Sequence, residues 1–374
     1  MNVLVTGARA PIAADLARAL SLAGHRVWVS DSLRWPLGAA SPFVAGYVRL
    51  PAPRRDFGRF CTALAGACER LALDAIVPTS EEVFWLAGTR HRLPPGVDLR
   101  TSALPVLAQL HHKGEFARLA ASLGYGAAAN HVLTSRDEIA ALREPERYVF
   151  KPVYSRFAAR TLLAPTPRQL ARLAPTPVEP WLAQTRIAGH ELCAYNVAHD
   201  GRLLLHIAYA PLVRHGVGAS ISFGPVEHAG LRELCSRIVV ATGFTGQISF
   251  DVMETDDGRL VALECNPRGT SGAHLAAQHP AVLATALLGQ TTAPADRLPT
   301  EPRLLRVPLL LSQPSAWLRW RECRERDALR AAGLPLHAQL LALTEMTWLA
   351  LRHRTSLARA STADFEWNGE AMRE

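Results

Sequence analysis

Lysine is nearly absent from this chain: of 41 Lys and Arg residues, only Lys113 and Lys151 are lysine. No run reaches the roughly eighteen apolar residues of a membrane span. The amino-terminal text MNVLVTGARAP enters a strand and turn, not a basic then apolar leader, so neither export nor membrane insertion is indicated. The six cysteines are scattered and no two form a C-x-x-C pair, which argues against a disulfide framework and for reduced thiols in a cytoplasmic protein. Charged residues are 20% and apolar residues 49% of 374 positions, an ordinary globular composition long enough for two or three structural units. The formal charge of +8 admits an anionic partner. Its arginines are spread through alanine-rich text, without the compact basic patch interleaved with aromatics that a nucleic-acid surface needs. A nucleotide or phosphorylated small molecule satisfies the same bias.

Periodicity gives the organisation. NVLVT reads as a strand, IAADLARALSLAG as a helix closed by Gly24 and HRVWVSDS as a second strand, so the chain opens as a βαβ unit with a parallel sheet. The first unit ends near residue 105, and one helix is expected from about Leu110 to Leu123. Short strands and helices alternate from HVLTSRDEIAALR through PRQLARLAP, as in a small α+β lobe. A strand-rich stretch follows, with a hairpin expected at Asp200-Gly201 and a strand, turn and strand at GQISFDVM, ETDDG and RLVALECN. The remainder reads as mainly helical.

The chemistry gathers at that last hairpin. Asp251 sits near the end of one predicted strand and Glu264 near the end of the next, with Asn266 beyond it. Two carboxylates and an amide oxygen are hard donors of the kind magnesium takes, leaving part of its shell to phosphates. Arg268 offers a planar fork of donors to a phosphoryl or carboxylate oxygen. The alternative is a hairpin with solvated acids. Lys151, after the apolar YVF, emerges at a strand end where a point charge can meet phosphate, or simply solvent.

Taken in order, HHKGEFARLAASLG, YVFKP, WLAQTRIAGHE and GQISFDVMETDDGRLVALECNPR resemble an ATP-grasp enzyme, in the carbamoyl-phosphate-synthase-like branch of carboxylate-amine ligases, over residues 1–290. The resemblance implies an α/β and α+β multidomain chain, with a leading Rossmann-like α/β domain over 1–105. A linker helix and small lobe would span 106–185, a large lobe with the metal site 186–290, and a mainly helical segment 291–374. It implies ATP and Mg2+, with Mn2+ acceptable, and Asp251, Glu264 and Asn266 as the metal ligands. Lys113 and Lys151 resemble the phosphate-binding lysines, and Gln184, Thr185, Arg186 and Ile187 the hinge against adenine. Glu191 resembles a ribose-side acid, and Arg268 the arginine facing the transferred phosphoryl.

The family usually places a glycine-rich loop after the second lysine, because close backbone approach to phosphate favours missing side chains. Here the text is KPVYSRFAART, so Ser155, Arg156 and Arg160 would have to meet phosphate, or form an ordinary strand pair. Among His206, Arg214 and His215 in the strand-rich lobe, Arg214 is the best candidate for a substrate carboxylate. Glu81 or Glu82 of PTSEE would recognise an amine or cap the next helix. The implied reaction activates a small-molecule carboxylate as an acyl phosphate and joins it to an amine, with a thiol or bicarbonate-type substrate as a variant. A rival class, an NAD(P)-dependent oxidoreductase, would use TGARAP and Asp31, but the turn lacks the later glycines of a dinucleotide fingerprint. The polar tail STADFEWNGEAM would fold over a cleft or over a neighbouring subunit, leaving a homodimer open.

Overall fold

Five strands form the parallel sheet that the opening βαβ pattern requires. A computed structural model describes residues 1–127, 129–156, 160–214, 220–291 and 299–372. Strands β1 (Asn2–Val5), β2 (Arg26–Asp31), β3 (Gly46–Arg49), β4 (Ala75–Val77) and β5 (Asp98–Leu99) lie in the order β3-β2-β1-β4-β5. Successive side chains point to opposite faces. Val3, Val5, Val27 and Val77 therefore join the helix Pro11–Leu22 in one core, while Leu4 and Ile76 join the helices Phe57–Leu71 and Glu82–Thr89 in another. The turn after β1 needs glycine: Gly7 has φ +68° and a Cβ there would lie 2.7 Å from Glu82 Oε1.

A four-stranded antiparallel sheet follows, formed by β6 (Asn130–Leu133), β7 (Tyr148–Pro152), β8 (Leu162–Leu163) and β9 (Trp181–Thr185) in the order β6-β9-β7-β8. Next come β10 (His190–His199), β11 (Arg202–Arg214), β12 (Ser220–Pro225), β13 (Gly246–Glu254), β14 (Leu260–Asn266) and β15 (Arg303–Leu304), ordered β14-β13-β10-β11-β12-β15. The expected hairpin joins β10 to β11, with positive φ at both Asp200 and Gly201, as a two-residue turn of the primed type requires. The helix Ala229–Thr242 buries Leu231, Leu234, Ile238 and Val239 against Ile248, Phe250 and Val252.

One expectation is corrected. In place of a single helix from Leu110 to Leu123 there are two, Leu104–His111 and Lys113–Ser122. His112 leaves helical geometry with ψ 104°, and its ring accepts the Glu115 N–H at 3.1 Å, capping the second helix. The break puts Lys113 at a helix start with its side chain buried.

The carboxyl-terminal part is helical, and among the described residues no helix is long and apolar enough to cross a membrane. Its polar tail packs on the leading domain. Asp364 accepts from Arg9 at 2.7 Å, Trp85 Nε1 donates to Phe365 O at 2.8 Å, and Trp367 stacks on Phe84 at 5.0 Å between centroids. Trp367→Ala is therefore expected to cost about 3–5 kcal/mol, the usual range for a large buried aromatic, measured as a lowered urea midpoint.

Candidate functional site

The register of β13 against β14 sets the site. Asp251 pairs with Glu264 and Ser249 with Asn266, so directly opposed and next-but-one residues bring both carboxylates and the amide to one face. The intervening Cys265 points the other way and is 2% exposed in the core. Burial holds the Asp251 carboxyl above its ordinary range, and the neighbouring Glu264 and Glu191 carboxylates add to the shift. A buried carboxyl that resists ionisation beside two other carboxylates is the electrostatic condition a bound cation relieves. Asn266 donates Nδ2 to Asp251 Oδ2 at 3.4 Å while its Oδ1 accepts Arg268 at 3.0 Å, and half a turn of the amide would present oxygen to a cation.

Another set of metal-ligating types also lies close: Glu191, Cys193 and Asp251, with ligand atoms within 4.8 Å of one another. It is the poorer choice for a hard cation. Burial first, then Asp251 and Glu191, pushes the Cys193 thiol well up, so it stays protonated and donates to Asp251 at 3.3 Å. Glu191 is ion-paired with Arg214 at the end of β11.

Both lysines face the acids. Lys113 Nζ lies 3.1 Å from Glu264 Oε1 and donates to Ser155 O at 3.1 Å. Lys151 Nζ, from β7, donates to Gln184 Oε1 and to Leu263 O, each at 3.1 Å. Burial lowers Lys151 to about 8, with Lys113 pushing the same way against Glu264 and Asp251. Gln184, near the end of β9, is buried and donates to Asn130 Oδ1 at 2.9 Å. Thr185 bonds Ala129 through N–H and hydroxyl, while Arg186 and half-buried Ile187 lie between β9 and β10, where the chain passes from one sheet to the next.

Arg156 and Arg268 share a partner that lies far away in sequence. Glu81, 2% exposed, pairs with Arg156 and lies 3.5 Å from Arg268 Nη2. Arg156 also donates to Asn368 Oδ1 and Trp367 O, each at 2.8 Å, so the loop after β7 is tied to both the leading domain and the tail. Glu82 instead accepts the backbone N–H groups of Thr79 and Ser80 at 3.0 Å and the Thr6 hydroxyl at 2.8 Å, fixing the turn before its helix.

Acid sensitivity follows from this cluster. Burial works to raise Glu81, but Arg156, Arg268 and His111 outweigh it and hold the carboxyl at about 2, below its ordinary 4.5. His111 is lowered from 6.5 to about 3, by burial first and then by Arg156, Lys113 and Arg268 against Glu81. In both cases the folded state binds fewer protons than the unfolded one, so stability is lost as pH falls, from 6.5 toward 3 for His111 and from 4.5 toward 2 for Glu81. The urea midpoint is expected to drop steadily on acidification, and His111→Gln to flatten the upper part of that profile.

Other expectations fare differently. His206 is not a cleft residue: it is buried, hydrogen-bonded to Asn196 at 2.7 Å, and lowered to about 3 by burial. His215 and residues 157–159 lie outside the described residues. At the first turn, Arg9 fills the carboxyl ends of β1 and β2, bonded to Asp31 and Asp364, above a cavity of about 30 Å3. Asp31, on which the dinucleotide reading relies, is thereby engaged by Arg9. A separate cavity of about 600 Å3, lined by Asp15, Arg18, Glu227, His274, Glu301 and Arg303 among others, holds acids and arginines but neither of the two lysines. Sequence reasoning missed a polar group behind Asn266, where Tyr209 contacts Thr270 at 3.3 Å and Thr270 donates to Ser249 at 2.9 Å.

No family model and no curated protein matches the chain. Solved structures do match. N5-carboxyaminoimidazole synthetase from Staphylococcus aureus, complexed with ADP, is 13% identical with a TM-score of 0.63 over 82% of this chain and 83% of that one. L-amino acid ligase from Bacillus licheniformis is 14% identical with a TM-score of 0.61 over 76% and 74%. Phosphoribosylamine–glycine ligase from Thermotoga maritima is 16% identical with a TM-score of 0.60 over 81% and 78%. At such identities the likeness concerns the backbone: the chain has an ATP-grasp fold with a leading Rossmann-like α/β domain.

Proposed function

We propose that this protein is an ATP-dependent, ADP-forming ligase that joins a small-molecule carboxylate to an amine. The observation that carries this reading is the convergence of Asp251, Glu264 and Asn266 with Lys113, Lys151 and Arg268 around the β13–β14 pair of an ATP-grasp fold. A similarly folded protein is complexed with ADP, and the names of two others, an L-amino acid ligase and a phosphoribosylamine–glycine ligase, describe joining reactions of this class. The hard-oxygen donor set fits Mg2+, with Mn2+ acceptable. When bound, the cation would neutralise phosphate charge and orient the transferred phosphoryl.

The chain's own residues supply the rest. Lys113 and Lys151 exchange their present partners for phosphate oxygens, and Gln184, Thr185, Arg186 and Ile187 receive adenine with Glu191 on the ribose side. Ser155 and Arg156 cover the triphosphate once Arg156 leaves Glu81. A carboxylate oxygen of the substrate attacks the γ-phosphorus, ADP departs, and Arg268, with Arg214 on the substrate carboxylate, stabilises the charge on the resulting acyl phosphate. The amine then attacks the acyl carbon, loses a proton and expels phosphate. A thiol or bicarbonate-type substrate would use the same nucleotide site.

The test is nucleotide release from ATP across pools of small carboxylates, with and without amines. Carboxylate-stimulated ADP, with 18O passing from labelled carboxylate into phosphate, supports the acyl-phosphate route. AMP, or phosphate free of label, refutes it.

A further inference from the structure

The 600 Å3 cavity opens where three parts of the chain meet. These are the helix Pro11–Leu22 of the leading domain, the segment of the large lobe that follows Arg268, and the carboxyl-terminal part around Arg303 and Ala328. Its volume falls within the roughly 300–1,000 Å3 of small-molecule sites, which favour such junctions. None of its described lining residues belongs to the β13–β14 site.

Its most buried lining is a fixed pair. Asp15 and His274 are 2% and 3% exposed, and the carboxylate accepts from the ring Nδ1. The His274 ring also stacks on Phe223, with 5.7 Å between centroids. One nitrogen is held by Asp15 and one ring face by Phe223, which leaves Nε2 to meet the cavity. Two arginines join the pair. Arg18 gives one of its five N–H donors to Ala277 O at 3.2 Å. The Arg303 side chain, 16% exposed, stands 4.0 Å from Glu301, beyond the length of a charge-assisted hydrogen bond, about 2.7–2.9 Å. The free acids are the outermost groups, since Glu227 is exposed and the Glu301 side chain is 68% exposed. Burial therefore grades the lining from guanidinium and imidazole inside to carboxylate outside.

That order selects a ligand with two opposite charges. The inner guanidinium forks match a carboxylate taken out of water, and the outer carboxylates match an ammonium group beside it. The gap between Arg303 and Glu301 has the same polarity on a smaller scale, so a zwitterion can take both ends of it. An amino acid or a short peptide carries this charge pair, and the volume leaves room for a side chain. A nucleotide or phosphate ester suits the lining less well, because its further negative charges would meet Glu227 and Glu301. A purely apolar ligand would take water from Arg18 and Arg303 and return nothing to them.

We propose that this cavity binds a small zwitterion, an amino acid or short peptide, with its carboxylate on Arg18 and Arg303 and its ammonium group on Glu227 and Glu301. This rests on the cavity alone and is independent of the ligase reading. The test is thermal melting of the full chain, without nucleotide, against each standard amino acid and a panel of dipeptides, followed by calorimetric titration of whichever raises the midpoint. At least one zwitterion is expected to raise it saturably, and its N-acetylated and carboxyl-amidated forms are each expected to bind about tenfold more weakly or worse. Arg303→Gln is expected to raise the dissociation constant about tenfold or more, and Glu227→Gln, at an exposed position that leaves folding unchanged, a few-fold. The acetylated form is expected to be indifferent to Glu227→Gln, which a mere loss of structure would not produce. Failure of every amino acid and dipeptide to bind overturns the proposal, as does binding unchanged in both variants. Acetate or inorganic phosphate binding as tightly as the zwitterion makes this an anion site and overturns it. Binding that is lost in Arg214→Ala and kept in both cavity variants belongs to the ligase site and also overturns it.

Discussion

Glu264→Ala is expected to lower magnesium-dependent nucleotide turnover by about 1,000-fold or more, since it removes a charge that would hold the cation at the transferred phosphoryl. Glu264 faces Asp251 across the β13–β14 pair and holds Lys113 at 3.1 Å, so it stands between the prospective cation and the prospective phosphate ligand. Lys113 is 2% exposed, and the alanine variant leaves it with Ser155 O as a remaining partner at 3.1 Å. Some stability is lost with that ion pair. Glu264→Gln separates the two effects, because the amide oxygen still accepts from Lys113 while the negative charge is gone. Turnover is expected to fall nearly as far in the glutamine variant, with the thermal midpoint close to that of wild type. A glutamine variant that keeps its turnover would assign Glu264 to structure alone.

Arg268→Ala is expected to reduce kcat by about 100- to 1,000-fold while leaving nucleotide affinity within a few-fold, the pattern of a group acting on charge that develops during the reaction. Its guanidinium lies between Asn266 Oδ1 at 3.0 Å and Glu81 Oε1 at 3.5 Å, at the end of the acidic strand pair that faces the leading domain. Arg268→Lys keeps the charge and loses the planar fork, so it is expected to recover only part of the rate. Steady-state kinetics with a separate nucleotide titration checks both variants. Equal losses in nucleotide binding and in turnover would make Arg268 a nucleotide ligand instead.

The legible part of the site was the part built from local chain. Asp251 and Glu264 are thirteen residues apart, and a strand, a tight turn and a return strand suffice to place them opposite each other. The same holds for the Asp200-Gly201 hairpin and for the opening βαβ unit, where period and turn chemistry act over a few residues. The partners of Arg156 were not legible. Glu81 lies 75 positions away and Asn368 lies 212 away, and only tertiary packing brings them within hydrogen-bond reach. The helix break at His112 was missed because HHK continues a helical pattern, and a side-chain cap depends on ring orientation that composition does not reveal. The tail carried a readable signal in the alternation of Phe365 and Trp367 within polar text, both of which are buried. Its polar residues suggest a segment folded over a cleft or over a neighbouring subunit, and the two aromatics anchor it on the leading domain of the same chain.

The most direct measurement is calorimetric titration of a non-hydrolysable ATP analogue, with and without Mg2+, into wild type and Glu264→Gln. It needs no knowledge of the carboxylate or the amine. Binding that depends on Mg2+ in wild type and loses that dependence in the variant is the expected result. Failure of wild type to bind, or binding that responds to Mg2+ equally in both proteins, would contradict a cation and nucleotide site at the β13–β14 pair.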